Sequence, residues 1–261
     1  MSWRIRRQFV VVLVVLTPFV LIGYFLVLKL LPTPTCFDNR KNQEERGIDC
    51  GGPCIPCELR NPEQLEIFWV HLVPVRKNIY DVAVFLRNPN EVLSSSDLEY
   101  EFSLFDEVGL VTIKTGHTFI LPQEQVHIIE ANIKTNRPVN KVEFRVLKMG
   151  WQLRSKERFN LVTERLDYKV VEEKNRKQGL VEANIFNQTP FSFREVEINF
   201  VVLDKDSNLL GVNRIVVENF LSGSKRLIKA VWPEELKGQP STIWAEPRVN
   251  VFDPAIILKP Q

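Results

Sequence analysis

The run QFVVVLVVLTPFVLIGYFLVL, residues 8–28, contains no charged side chain. As a helix rising about 1.5 Å per residue it spans ~31 Å, the thickness of the hydrocarbon core of a bilayer. It is apolar on every side, whereas a helix packed on a soluble core shows one apolar stripe and one polar face. Pro18 and Gly23 interrupt it, and membrane helices tolerate both. Arg4, Arg6 and Arg7 precede the run, and Lys29 alone follows it before the uncharged LLPTPT. The positive-inside rule then places residues 1–7 in the cytoplasm and everything past about residue 32 outside. Trp3 and Tyr24 stand near the two ends, where aromatic rings anchor at membrane interfaces. The apolar run is longer than a cleavable h-region, no A-x-A-like site follows it, and PTPTC before Cys36 is not a lipobox. The expectation is an uncleaved signal anchor over 8–31 in a single-pass cell-membrane protein. Its bulk is extracytoplasmic, and Pro32 and Pro34 make a stiff, extended exit.

All four cysteines, Cys36, Cys50, Cys54 and Cys57, fall within CFDNRKNQEERGIDCGGPCIPC directly after that exit. Outside the membrane thiols meet an oxidising space and pair, so two disulfides are expected, in any of three pairings. Zinc is an alternative, although C-x13-C-x3-C-x2-C lacks two separated C-x2-4-C halves and no histidine lies nearer than His71. A redox centre at Cys54-x-x-Cys57 is another, although no βαβ pattern surrounds it. Between the cysteines Asp38, Asn42, Glu45 and Asp49 supply side-chain oxygens, followed by Gly51-Gly52. Two readings stay open: ligands for a hard cation such as Ca²⁺, or side chains that cap the turns of a coreless stapled loop. The pattern C-x-D-x-x-x-N-x-x-E-x-x-x-D-C-G-G-x-C-x-x-C resembles a short Cys-rich module of bacterial membrane-anchored surface and secreted proteins. It departs from that module at Asn39, where Gly is usual; Asn tolerates positive φ, so the turn survives.

Past residue 31 there are 30 basic and 32 acidic residues. A formal charge of −2 leaves no electrostatic footprint for nucleic acid. From residue 60 onward short segments alternate apolar and polar residues, which is the mark of half-buried strands. LEIFWVHLV (65–73), YDVAVFLRN (80–88), DLEYEFSLFD (97–106), HTFIL (117–121), QVHIIEANI (125–133) and KVEFRVLKM (141–149) form a first set. LVEANIFN (180–187), VEINFVVLD (196–204), NRIVVENF (213–220), KRLIKAVW (225–232) and STIWAEPRVNVF (241–252) form a second. The charged stretch 164–179 holds the first strand of the second set and a turn.

The two sets match. VAVFLRN aligns with VEANIFN, setting Asn88 on Asn187, and LEYEFSLFDEVG aligns with VEINFVVLDKDSN, setting Phe102 on Phe200 and Asp106 on Asp204. IIEAN (128–132) aligns with LIKAV (227–231). This implies tandem repeats of near 95 residues, with Asn88, Asp106, Asn187 and Asp204 as turn residues. F-x-L-F-D and F-x-V-L-D resemble the FxLYD-type domain and the wider group of small immunoglobulin-like sandwiches, with Phe105 and Leu203 where that family has Tyr. The resemblance implies an extracytoplasmic, non-catalytic module of about seven strands.

The expected fold is mainly β: one N-terminal transmembrane helix, a disulfide-stapled module at 32–60, and immunoglobulin-like sandwiches at 61–162 and 163–261. No P-loop, G-x-S-x-G or paired-Gly nucleotide motif is present. His71, His117 and His127 lack metal-binding spacing and read as face or edge residues. Trp69, Trp151, Trp232 and Trp244 read as core or inter-domain packing, with a carbohydrate platform as the alternative. Asn187-Gln188-Thr189 spells a glycosylation sequon, though Pro190 follows it. No catalytic residue and no cofactor beyond the Ca²⁺ candidate is expected. The partners are the membrane, through one helix, and an unidentified protein or envelope component. The function expected is binding or scaffolding, with an adhesin, or an accessory subunit of a membrane enzyme or secretion complex, as rivals.

Overall fold

The computed structural model describes residues 3–30, 35–154, 159–173 and 175–258. The chain forms two compact units, residues 1–60 and 61–261. Pro32 and Pro34 lie outside the described residues.

In the first unit, α1 spans Trp3–Leu30 and carries Pro18 inside it. Thr17 Oγ1 donates to the Leu13 carbonyl (2.6 Å), so the hydroxyl bonds back into the turn just before the proline. Within it Ile5–Val27 is long and apolar enough to cross a bilayer, and a signal sequence has the same character. Its apolar side chains, Phe9, Phe19 and Phe25 among them, are exposed. The stapled module follows, ending in the single helical turn α2, Cys57–Arg60.

Among its described residues the second unit has thirteen antiparallel strands. They are β1 Glu66–Arg76, β2 Ile79–Arg87, β3 Leu93–Phe105, β4 Leu110–Ile120, β5 Gln125–Lys134, β6 Lys141–Met149 and β7 Gln152–Leu153. The remainder are β8 Leu161–Glu173, β9 Arg176–Asn187, β10 Phe193–Leu203, β11 Leu209–Phe220, β12 Lys225–Trp232 and β13 Thr242–Arg248. Sheet β1-β2-β5 faces sheet β4-β3-β6 to make the first sandwich, with β7 pairing the start of β3. Sheet β8-β9-β12 faces sheet β11-β10-β13 to make the second. The strand order is the same in both: first, second and fifth strands on one side, fourth, third and sixth on the other.

Each sandwich closes on its own core. Val82, Val84, Leu86, Tyr100, Phe102, Val126 and Ile128 fill the first. Val181, Ala183, Ile185, Ile198, Phe200, Ile228 and Trp232 fill the second. Period-2 alternation on each strand sends these residues inward.

Register corrects one part of the repeat alignment. Val84 pairs Ile128, and Ala183 pairs Ile228. Ile128 therefore corresponds to Ile228, one residue later than the IIEAN–LIKAV alignment sets it. A slip of one residue exchanges the core and outer faces of a strand, so the distinction decides what each side chain touches.

The sandwiches stack through non-equivalent sheets. The outer face of β1-β2-β5 lies on the outer face of β11-β10-β13, burying Ala83, Ile129, Val201, Leu203 and Val212 with Trp69 and Leu209 packed around them. The other two outer faces are charged. Glu182 binds Lys169 and Lys229 on one. Glu101–Arg145 and Lys141–Glu143 pair on the other.

Candidate functional site

In the stapled module the bridges are Cys36–Cys54 and Cys50–Cys57, and no cysteine is free. Cys36, Glu45 and Cys54 bring ligand-type atoms within 4.8 Å of one another. Both sulfurs belong to one disulfide and offer no thiolate to a metal.

The three carboxylates accept amide hydrogens, and Asn42 donates its own. Asp49 Oδ1 accepts the N–H groups of Asp38 and Asn39, each at 3.1 Å. Glu45 Oε2 accepts Asn42 N–H (3.3 Å) and Asp49 N–H (3.0 Å). Asp38 accepts Arg40 N–H (2.9 Å) and the Asn42 side-chain amide (2.7 Å), and that amide holds its carboxyl below the usual range. Arg60 reaches Asp49 Oδ2 at 3.5 Å and also donates to the Ile48 carbonyl. This donor set favours the turn-capping reading of the two. Amide hydrogens take up Glu45 Oε2 and the carboxylates of Asp38 and Asp49, while Asn42 Oδ1 is buried without a partner and Glu45 Oε1 meets only the disulfide sulfur of Cys54. The residues fold the loop by capping it. Asn39 takes φ 56°, as its place in a Gly position requires. Gly52 is obligatory: at φ 59° an added Cβ would sit 2.8 Å from the Glu44 carbonyl oxygen.

The repeat residues play matching parts in both sandwiches. Asn88 is fully buried, and its Nδ2 donates to the Leu93 and Leu121 carbonyls (2.7 and 2.9 Å). Asn187 is equally buried and donates to Phe191, Phe220 and Leu221 (2.8, 3.3 and 3.1 Å). Each Oδ1 accepts the N–H two residues on, that of Asn90 or Thr189. One side chain thus ties a turn to the loop between the fourth and fifth strands. The buried amide of Asn187 is committed to carbonyls, so the sequon presents no free nitrogen. Asp106 Oδ1 accepts Val108 and Gly109 N–H, both at 2.9 Å, and Asp204 Oδ1 accepts Asp206 and Asn208 N–H, both at 2.8 Å. Burial works upward on the Asp106 carboxyl, but its amide donors and the Arg137 guanidinium outweigh it and hold it below the usual range. The Asn208 side chain and N–H do the same for Asp204. These polar residues serve the turns.

A polar centre that sequence reasoning did not single out lies in the seam between the sandwiches. His127, on the outer face of β5, has a side chain with no solvent exposure. Its ring stacks on Phe85, with centroids 4.3 Å apart and planes 13° apart. Trp69 and Trp244 approach to 5.3 and 5.4 Å. Nδ1 lies 2.8 Å from Glu246 Oε1 on β13. Asn199, paired with Glu246 across β10 and β13, donates to the His127 carbonyl at 2.9 Å. His127 Nε2, Asn199 Oδ1 and Glu246 Oε2 are all buried without a partner. Two residues along β13, the Arg248 guanidinium lies over the Phe119 ring at 4.3 Å. Its Nε reaches Glu124 at 3.3 Å and its Nη2 donates to the Phe119 carbonyl at 2.8 Å. The signal was present in the text. In QVHIIE the face that Gln125 and His127 make polar also carries the apolar Ile129, as a strand covered on both faces does.

No family model matches this chain, and no curated protein matches it.

Proposed function

We propose that the chain is a single-pass, N-in membrane protein whose extracytoplasmic part is a non-enzymatic binding or scaffold module. The observation that carries this reading is the order of parts. An apolar helix of membrane length leads into a module whose four cysteines all form disulfides. Such bridges persist in an oxidising space, and the Arg-rich end of the helix argues for the cytoplasm on the opposite side. The two sandwiches are read as FxLYD-type, immunoglobulin-like domains on the strength of the F-x-L-F-D and F-x-V-L-D turns. In both turns the Asp caps the reversal after the third strand. Buried stacking of the sandwiches makes a stiff presenting surface.

The test is made on the full chain in its membrane. Alkylation without reductant followed by mass measurement should find no free thiol. Protease added to right-side-out vesicles should digest residues beyond the helix. Four alkylated cysteines, or complete protection, would overturn the topology. Crosslinking and mild detergent extraction should recover a partner complex; recovery of the chain alone at every crosslinker span would overturn the scaffold role.

A further inference from the structure

A cleft of about 390 Å³ opens on the seam, walled by Phe85, His127, Leu166, Ile243, Trp244 and Glu246. That volume lies within the range that holds small ligands. Its chemistry is one-sided. Neither Lys nor Arg is among the described residues lining it. The nearby guanidinium of Arg248 is already held by Glu124 and the Phe119 carbonyl.

Two of the residues lining it, His127 and Glu246, each carry a buried polar atom without a partner, and Asn199, which pairs with Glu246 across β10 and β13, carries a third. A carboxylate only accepts, so the 2.8 Å contact to Glu246 puts the imidazole proton on His127 Nδ1. Glu246 Oε2 and Asn199 Oδ1 can only accept, and neither has a donor. Oε2 has neither a protein donor nor bulk water, although the Glu246 side chain as a whole keeps 27% of its surface exposed. The cleft therefore holds a carboxylate with an unmet acceptor oxygen and the faces of Phe85 and Trp244, with no Lys or Arg among its described lining residues. Aromatic faces attract cations, and a buried carboxylate calls for a charged donor.

We propose that this cleft binds a small organic cation, a primary ammonium on a short aliphatic body. The nitrogen is placed at Glu246 and the aliphatic body against Leu166, Ile243 and Trp244. The assignment rests on the binding-module reading and gives it a ligand class.

Calorimetric titration of the full chain in non-ionic detergent with n-butylammonium chloride tests it, with n-butanol as the neutral twin. The expected result is saturable binding of butylammonium, none of butanol, and a loss of roughly ten-fold or more in affinity in Glu246→Gln and in Trp244→Leu. Glu246→Gln keeps the oxygen that faces His127 and removes the charge. Equal binding of butanol would overturn the proposal, as would unchanged affinity in Glu246→Gln or no heat with butylammonium in the millimolar range. If the Gln variant does not fold, Trp244→Leu decides alone, and unchanged affinity there overturns the site. Failure of this titration leaves the topology untouched, since thiol counting and protease access decide that separately.

Discussion

Asp81 stands on β2 opposite Val73, 5% exposed, with its Oδ1 accepting the Asn132 N–H at 2.7 Å. Burial raises its pKa from 3.8 to about 6, against the smaller downward pull of that single N–H. Between pH 3.8 and about 6 the folded chain holds a proton that the unfolded chain has released. The group's contribution to stability is therefore fully present below pH 3.8 and lost as pH rises through about 6. At about 1.36 kcal/mol per pKa unit, the loss from one plateau to the other is on the order of 3 kcal/mol. Asp81→Asn keeps the oxygen that serves Asn132 and has no proton to lose. Its new NH₂ must find an acceptor or cost about 1–3 kcal/mol, but that cost is the same at every pH. Urea unfolding of both proteins, followed by tryptophan fluorescence, gives the stability difference, variant minus wild type, at pH 4 and pH 8. That difference should move in favour of the variant by up to ~3 kcal/mol as pH rises, with most of the change below pH 7. A difference that stays flat, or moves the other way, would refute the argument that burial governs this carboxyl.

Asn187→Ala removes a buried donor serving three carbonyls and should lower stability by about 2–4 kcal/mol, read by thermal unfolding; a loss below ~0.5 kcal/mol would show that the side chain is not the tie described. Asn88→Ala should cost a similar amount, since it ties the equivalent loop. Cys36→Ser with Cys54→Ser opens the bridge that spans 18 residues in sequence. The module should lose about 3 kcal/mol, seen as rapid tryptic cleavage at Lys41 and Arg46, whereas wild-type resistance in the double variant would contradict it. Ala83→Glu puts a charge into the apolar seam among Ile129, Val201 and Val212, and should cost about 3 kcal/mol or more in chemical unfolding on the scale of an unpaired buried charge. An unchanged midpoint would mean that the sandwiches do not bury that face.

Most strands of both sandwiches were legible because one face of each strand meets a core, and period 2 records that. The start of β3 was hidden: Ser94 and Ser95 are fully buried, yet LSSSD reads as a loop. Residues 110–116 at the start of β4 were missed because Thr112, Lys114 and Gly116 stand on the side that faces in, which blunts the alternation. The turn roles of Asn88, Asp106, Asn187 and Asp204 were readable because each acts on backbone close by in sequence. Cysteine pairing was not readable, because it depends on how the loop closes in space. Nor was the acceptor cluster at His127. Its members come from β5, β10 and β13, and only the stacking of one sandwich on the other brings them together.

That stacking joins unlike faces, and a contact between unlike faces runs on from copy to copy unless its rotation closes a ring. A third sandwich could in principle dock on the second as the second docks on the first, and so on without end. The positions that would have to be buried argue against such growth. Taking each strand in register with its counterpart, Glu182 and Lys229 stand where the first sandwich has Ala83 and Ile129. Glu101, Ser103 and Glu143 stand where the second has Asn199, Val201 and Trp244. Ion pairs on both outward faces would have to be stripped of water before another copy could add. The two charged outer faces thus act as end caps, as the polar faces of the terminal units of solenoid proteins do.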